Sequence, residues 1–517
     1  MMGSGPAPTS DVIDRSEGST PSERYLAKLC DHTFLNLWSY PNVYIDKRKN
    51  GKGDGKELCD LLVVCGDHVL IFSDKTITWQ DGELLLSWKR WFNRAIHHSA
   101  RQIRKAERWI EQMPDKIYLD KGCTKPLPLK LPPLERRKVH GVIVALGAAG
   151  ACKAFFGEGI GSLMIVPEIR GEQHLNSDKI IPFAIGDIDP DGPFIHILDE
   201  ATLDVVMGEL DTISDFTAYL TKKAEFIRSG HLSSAGGEEE LVAYYMVRMN
   251  PEGEHDFTGP DGLPFRDNVV VSIGTGHYER LKTNPQYAAK KDADRHSYVW
   301  DTLIKAFTDH MIAGTTIVIE GEPFAVSRSE KAVRHMALVP RFTRRILGKS
   351  IMEVYEKGRD HPRYTRSFLP GDVSIDTETA FFFMTVAVPD RALPGGYQQY
   401  RTVRLRMLET QALSLLEKYP SLKRVVGVAT EPATSKGSSE DIFFAEDVPW
   451  TPELKANLQS RRTLYNVMQE GNMIEQRVDE WEYPAIGTNP RGVQRTAPPG
   501  TNRRERRAMK AEERRRR

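Results

Sequence analysis

An acid and a lysine occupy chemically useful positions in a hairpin-like stretch of the sequence. Residues 57–75 contain two apolar runs that flank a Gly-Asp dipeptide, which is typical of a two-residue hairpin turn. Counting outward from that turn places Asp60 directly opposite Ser73. Because side chains alternate faces along a strand, Asp60, Ser73 and Lys75 share one face, whereas Asp74 points to the other. Burial of a carboxylate and an ammonium group is costly unless they pair or hold a metal ion.

This arrangement resembles the motif of the PD-(D/E)xK, or restriction-endonuclease-like, nuclease superfamily. In that family the acids hold a divalent metal ion, and the lysine orients or activates the attacking water. The resemblance therefore implies Mg²⁺ or Mn²⁺ at Asp60, with Lys75 as a catalytic residue. The chain departs from the pattern because Ser73 stands where the second acid is usual. Asp74 can substitute for that acid if a bulge shifts the strand register by one residue.

Two glutamates outside the hairpin are further candidate metal ligands. Glu107 lies on a predicted helix, where some members of the family place a relocated acid. A surface carboxylate paired with Arg104 or Arg108 explains Glu107 equally well. Glu23 lies on the first predicted helix, where the family often has an additional metal-binding glutamate. The alternative for Glu23 is a helix-capping box that begins at Thr20.

The elements predicted around the hairpin follow the order helix, strand, hairpin, helix, strand. That order is the one found in the restriction-endonuclease-like α/β core. A strand over 195–198 and helices across 203–227 would complete this domain. The predicted elements before these are a helix over 21–38, a strand over 43–46, the hairpin, a helix over 88–113 and a strand over 139–146.

The predicted helix over 88–113 is amphipathic and strongly basic. Its apolar residues recur at helical spacing, so Trp88 and Trp91 are expected in the core. A basic helix face is usually only solvated, but beside a nuclease-like hairpin it would contact phosphates. DNA is therefore the predicted partner, and the predicted nucleic-acid-binding residues are Arg90, Arg94, Arg101, Gln102 and Arg104.

The predicted fold class is α/β, with a restriction-endonuclease-like N-terminal domain and a second α/β (or α+β) domain. The second domain has predicted strands over 269–273, 316–320, 380–388 and 425–429, and helices over 298–311, 330–355, 401–418 and 452–470. The predicted divisions are a disordered N-terminus (1–19), the PD-(D/E)xK-like domain (20–228), a linker (229–239), the second domain (240–474) and a polar, Arg-rich tail (475–517).

Composition excludes several classes of protein. The 517 residues carry no formal net charge, so overall electrostatics does not indicate nucleic-acid binding. The five cysteines form no C-x-x-C pair, which argues against a zinc knuckle and a disulfide framework. The sequence lacks a signal peptide and any apolar run of membrane-spanning length, so we expect a cytoplasmic protein with no membrane partner.

The sequence thus predicts a metal-dependent nuclease that hydrolyses phosphodiester bonds in DNA. The chain as a whole resembles a bacterial protein. By analogy of fold, nuclease cores joined to a partner domain are frequent in defence against foreign DNA. The alternative is a catalytically inactive, nuclease-like protein that binds nucleic acid or a protein partner. The second domain would then serve for a homodimer or for that partner.

Overall fold

The protein is described by a computed structural model, and its elements confirm the α/β class. The described residues are 12–48, 53–176, 180–316, 326–371, 376–388, 394–435, 439–469, 471, 473–475 and 480–484. Within them, no helix is long and apolar enough to cross a membrane. The strands are β1 (Ser39–Ile45), β2 (Lys56–Cys65), β3 (His68–Thr76), β4 (Lys138–Leu146), β5 (Met164–Arg170), β6 (Ala184–Asp187), β7 (Ile195–Asp199), β8 (Leu232–Ala235), β9 (Val271–Ile273), β10 (Arg363–Phe368), β11 (Thr379–Val386), β12 (Arg424–Thr430) and β13 (Asp441–Glu446).

Helices connect most of these strands, and the chain divides into two compact units. Unit 1 comprises 1–292, 305–316 and 483–517, and unit 2 comprises 293–304 and 317–482. The helices are α1 (Pro21–Thr33), α2 (Leu84–Phe92), α3 (His98–Gln112), α4 (Ala149–Phe156), α5 (Gln173–Asn176), α6 (Leu203–Glu209), α7 (Ile213–Arg228), α8 (Glu238–Met246), α9 (His277–Lys282), α10 (Pro285–Asp294), α11 (Ser297–Ile312), α12 (Val326–Ala337), α13 (Arg341–Lys357), α14 (Gly396–Lys418) and α15 (Pro452–Tyr465).

The first sheet of unit 1 has five strands in the order β1-β2-β3-β4-β7. The pairs β1–β2 and β2–β3 are antiparallel, whereas β3–β4 and β4–β7 are parallel. A parallel neighbour requires a crossover, which α2 and α3 provide between β3 and β4. The predicted order of elements in this region is thus confirmed.

The predicted long basic helix forms as α2 and α3, joined by a π-helical turn at Asn93–His97. Most of its apolar residues are buried, including both Trp88 and Trp91. Gly141 of β4 lets α3 approach the sheet, because a Cβ atom there would lie 2.6 Å from Cγ2 of Ile103.

The second sheet of unit 1 corrects the predicted linker. Its order is β6-β5-β8-β9, so strand β8 lies inside the segment 229–239. All nine residues of α8 are buried, including three consecutive glutamates at its start. The polar composition suggested a linker, but these acids have partners in the fold. Glu238 accepts hydrogen bonds from Tyr219 and Lys223, and Glu240 accepts from the backbone N–H groups of Gly276 and Tyr278.

The N-terminal segment differs in part from the predicted disorder. Residues 12–19 pack in unit 1, where the N–H group of Ile13 donates to the carbonyl of Ile312 at 2.9 Å. Arg15 donates to the Asp31 carboxylate and to the carbonyls of Asn36 and Ser39. In the predicted tail, Tyr483 is buried. Residues 1–11, 476–479 and 485–517 lie outside the described part of the chain.

Unit 2 contains a four-stranded sheet in the order β10-β11-β12-β13. Only the central pair β11–β12 is parallel in this sheet, and α14 connects its two strands. The helix predicted over 330–355 is two helices, because Pro340 lacks the N–H group needed to continue a helix. Of the strand predicted over 316–320, residues 317–320 lie outside the described residues. The fully buried Arg404 pairs with Asp441 and Glu431.

Candidate functional site

The β2–β3 hairpin has the predicted register. Leu61 pairs with Phe72, and the ladder continues to Cys65 and His68 beside the turn. Counted outward from the turn, the last pair of the ladder is Leu61 with Phe72, and Asp60 is the next residue of β2. Beyond that point the Asp60 side chain supplies the hydrogen bond, because its Oδ2 accepts from the backbone N–H of Asp74 at 2.6 Å.

Lys75 completes this arrangement. Its Nζ donates to Oδ2 of Asp60 at 3.1 Å and to the carbonyl of Asp74 at 3.0 Å. Asp60 is 3% exposed, whereas about a third of the Lys75 side chain (32%) remains accessible. The carboxylate is therefore buried, whereas part of the Lys75 side chain is accessible to solvent.

Asp74 carries the clearest sign of an incomplete site. Its side chain is buried, and among the described residues neither carboxylate oxygen has a donor in hydrogen-bond geometry. Burial raises the pKa of Asp74 to about 6, and the charge of Asp60 contributes to this shift. The Ser22 hydroxyl, which lies near Asp74 but outside good hydrogen-bond geometry, and the charge of Lys75 oppose the shift without cancelling it. A buried carboxylate without a donor is unfavourable, so this group has unused capacity for a ligand.

Glu57 joins these acids through a bulge that the sequence did not reveal. Val43 pairs with Cys59, but Tyr44 pairs with Glu57, so Leu58 is the extra residue in β2. An extra residue reverses the alternation of side chains, which brings Glu57 toward the side of Asp60. Partial desolvation raises the pKa of Glu57, as do the charges of Asp60 and Glu23. The side chain remains exposed, so solutes can reach it.

Asn42 links the two glutamates of the site, and sequence reasoning missed it. Its Nδ2 donates to Oε1 of Glu57 and to Oε2 of Glu23, each at 2.9 Å. The backbone of Asn42 is left-handed, with φ at 49°, a conformation that asparagine tolerates better than most residues. The Pro-Asn pair of residues 41–42 was the available signal, because such residues favour irregular backbone.

Glu23 has the capping role and also lies at the site. Its N–H group donates to Oγ1 of Thr20 at 3.2 Å, and its Oε2 accepts from the N–H group of Ser19 at 2.8 Å. Burial opposes ionisation of Glu23, but the hydrogen bonds from Asn42, Ser19 and Thr20 outweigh it and lower the pKa. Capping therefore does not exclude Glu23 from the acidic group.

Ser73 points to the helix that crosses the sheet. Its hydroxyl lies 3.4 Å from Oε1 of Gln102, which makes a weak hydrogen bond at best. The predicted nucleic-acid-binding residue Gln102 thus faces the sheet side of α3. Because residue 73 is a serine, the position of the usual second acid has a hydroxyl group and no carboxylate.

The structure places Glu107 in a different environment from the hairpin acids. Its Oε2 pairs with Arg104 at 2.6 Å, and Arg104 also binds Asp189 at 2.5 Å. These three residues line a cavity of about 600 Å³ on this side of α3. Glu107 therefore forms the ion pair with Arg104 that the alternative interpretation expected. Arg104, predicted to bind nucleic acid, is engaged in the same pairs.

The acids near Asp60 do not form a complete metal cage by themselves. Within the described residues, no group of three or more His, Cys, Asp or Glu side chains is arranged to hold a metal ion. Magnesium often binds proteins through only one or two carboxylates and keeps several waters. Asp60 and Glu23 interact electrostatically with both Asp74 and Glu57, so these four carboxylates lie in one region. These oxygen donors fit Mg²⁺ or Mn²⁺.

Comparison with known proteins assigns no family to the chain. No protein-family model matches it, and no curated protein or solved structure matches it. The case for a function therefore rests on the geometry around Asp60.

Proposed function

We propose that unit 1 is a metal-dependent nuclease domain of the restriction-endonuclease-like type, acting on DNA. The observation that carries this proposal is the contact between Lys75 and Asp60 on adjacent strands, with the Asp74 N–H fixed on the same oxygen. The sheet supports it, because an antiparallel hairpin followed by a helical crossover to a parallel strand positions that contact.

Asp60 would hold Mg²⁺, and the further acid would be Glu57, Glu23 or Asp74; β3 pairs with β4 without a register shift, so Asp74 would have to reach the ion from the other face. When bound, the ion would lower the pKa of a water and stabilise charge on phosphoryl oxygens. Lys75 would hold and orient the attacking water, while its hydrogen bond to Asp60 keeps that carboxylate in position. Ser73 would have no ligand role, since its hydroxyl faces Gln102.

The test is cleavage of duplex DNA with Mg²⁺ or Mn²⁺ by the full chain. We expect Asp60→Asn to abolish cleavage and Lys75→Ala to slow it by at least about 100-fold, because each removes a group at the reacting phosphate. Asp67→Asn in the hairpin turn and Lys56→Ala at the start of β2 are matched controls. Cleavage at the parent rate by both site variants would refute the assignment.

A second candidate is a nuclease-like protein that binds nucleic acid without cleaving it. The observation in its favour is Ser73, which supplies no carboxylate at the position of the second acid. Calorimetric titration with Mn²⁺ separates the two. A binding site that disappears in Asp60→Asn supports the nuclease, whereas DNA binding without any metal binding supports the second candidate.

A further inference from the structure

The outward face of α2 and α3 carries five cations, which we call the basic stripe: Arg90, Arg94, Arg101, Lys105 and Arg108. All five are exposed. Their exposure places them on the side of the helical segment that lies away from its buried apolar residues. Within the described part of the chain, none of the five side chains forms an ion pair or a hydrogen bond with another residue.

The basic stripe does not stabilise the helix that bears it. Arg101 and Lys105 lie four residues apart on α3, and like charges at this spacing destabilise a helix. A solvated face that served only solubility would mix acids with these bases. Between Arg90 and Arg108 the exposed charged side chains are all cations, and the exposed Glu111 lies beyond the end of the stripe. This is the charge pattern of a surface that binds an anionic partner.

The opposite face of the same segment excludes a membrane as that partner. A helix that lies in a bilayer surface inserts its apolar face into the lipid. Here that face already packs in unit 1, with the side chains of Trp88, Phe92, Ile96 and Ile103 at most 2% exposed. Only the charged side is free, which favours contact with a polyanion through phosphates.

We propose that the basic stripe binds the phosphate backbone of double-stranded DNA without reading its sequence. This inference rests on the proposed function for the class of polyanion. Arg90 and Arg108 are 18 residues apart, which corresponds to about 27 Å along a helix. At 3.4 Å per base pair, that length spans about eight base pairs of duplex.

The aromatic side chains of the segment favour duplex over single-stranded DNA. Proteins that bind single strands stack bases on exposed aromatic rings. Trp88, Trp91 and Phe92 are buried. Lys47 lies over the ring of Trp109, and the Trp109 indole N–H donates to the carbonyl of Lys116 at 3.2 Å. The stripe therefore offers charge without a stacking surface, which suits a paired backbone.

The structure also revises which residues of the helix contact DNA. Arg104 is held by Glu107 and Asp189, and Gln102 faces Ser73, so neither belongs to the stripe. Lys105 and Arg108 take their place, because both are exposed on the outward face.

The test measures binding of the full chain to a fluorescent duplex in EDTA, where no cleavage can occur. The variant R94Q/R101Q/K105Q removes three charges from the stripe. The matched control K28Q/K121Q/K153Q removes three exposed charges from elsewhere in unit 1. We expect the stripe variant to bind roughly 100-fold more weakly, and the slope of log K against log salt to fall by about 2.7. The control should retain the parent affinity.

Three outcomes would overturn the inference. They are parent-like binding by the stripe variant, an equal loss in the control, and tighter binding to single strands or to anionic vesicles than to duplex. Asp60→Asn tests the metal site separately through cleavage, because Asp60 is not in the stripe. If the parent binds duplex through the stripe but does not cleave it, the proposed nuclease fails and the stripe stands. If the parent cleaves DNA but the stripe variant binds like the parent, the stripe fails and the nuclease stands.

Discussion

At the residue scale, Asp60 organises the candidate site. One of its oxygens accepts from both the Asp74 backbone and the Lys75 ammonium group. The backbone bond fixes the relative position of two acids that would otherwise repel each other. The cost of that arrangement falls on Asp74, whose carboxylate is buried without a donor.

We expect Asp74→Asn to stabilise the protein while reducing its activity. The buried carboxylate has a pKa of about 6, so at pH 7.5 the parent holds an unfavourable negative charge. Removing this charge should raise the free energy of unfolding by about 3 kcal/mol. Functional sites commonly show such a trade-off. Chemical denaturation in EDTA measures the stability, and DNA cleavage measures the activity. A destabilised variant, or one with full activity, would contradict this view of Asp74.

At the scale of elements, the bulge at Leu58 and the π-helical turn at 93–97 depart from regular structure beside the site. The bulge re-aims Glu57 toward Asp60. Such irregularities are frequent near functional sites.

Two histidines form a contact between β3 and β4 of the same sheet. Nδ1 of His68 lies 3.1 Å from Nε2 of His140, and the two rings stack.

This histidine pair should make stability depend on acid pH. Burial lowers the pKa of His140 to about 3 and that of His68 to about 4. The unfolded chain therefore binds protons at a higher pH than the folded protein does. The free energy of unfolding is thus highest above about pH 6.5 and falls as the pH decreases toward these values. From pH 7 to pH 5, His140 alone should cost about 2 kcal/mol.

Urea denaturation at the two pH values measures this effect. His140→Gln should reduce the loss by about 2 kcal/mol. The exposed His98→Gln should leave it unchanged. An identical pH dependence in His140→Gln and the parent would show that other groups cause it.

At the scale of the whole molecule, unit 1 continues well beyond the predicted boundary at 229–239. Strands β8 and β9 complete its second sheet. The ammonium group of Lys223 and the carboxylate of Glu238 form a pair whose side chains are 3% and 4% exposed. A chain that ends before Glu238 would leave that ammonium group buried and unpaired, which typically costs 3–5 kcal/mol, as an order-of-magnitude figure.

We therefore expect a fragment ending at residue 237 to be unfolded or strongly destabilised. A fragment ending at residue 316 keeps α8 and β9, and it should unfold cooperatively. Circular dichroism with thermal denaturation compares the two. A cooperative transition of the shorter fragment at the temperature of the longer one would show that α8 is not part of the core of unit 1.

The sequence by itself determined the hairpin, its register and the order of elements in the first sheet. These follow from local rules, because turn residues and alternating side chains act over a few neighbours. It also indicated that Asp60 and Lys75 would meet. It did not reveal that most of the segment 231–239 is packed, because its polar composition indicates exposure unless the partners of each charge are known.

Only the tertiary structure decided which acids gather around Asp60. A bulge in the pairing of β1 with β2 brings Glu57 to this side of the sheet. Asn42 of β1 hydrogen-bonds both Glu57 and Glu23 of α1. Glu107 instead pairs with Arg104. These contacts join residues far apart in sequence, and their geometry depends on strand pairing and burial, which no local pattern of residues specifies.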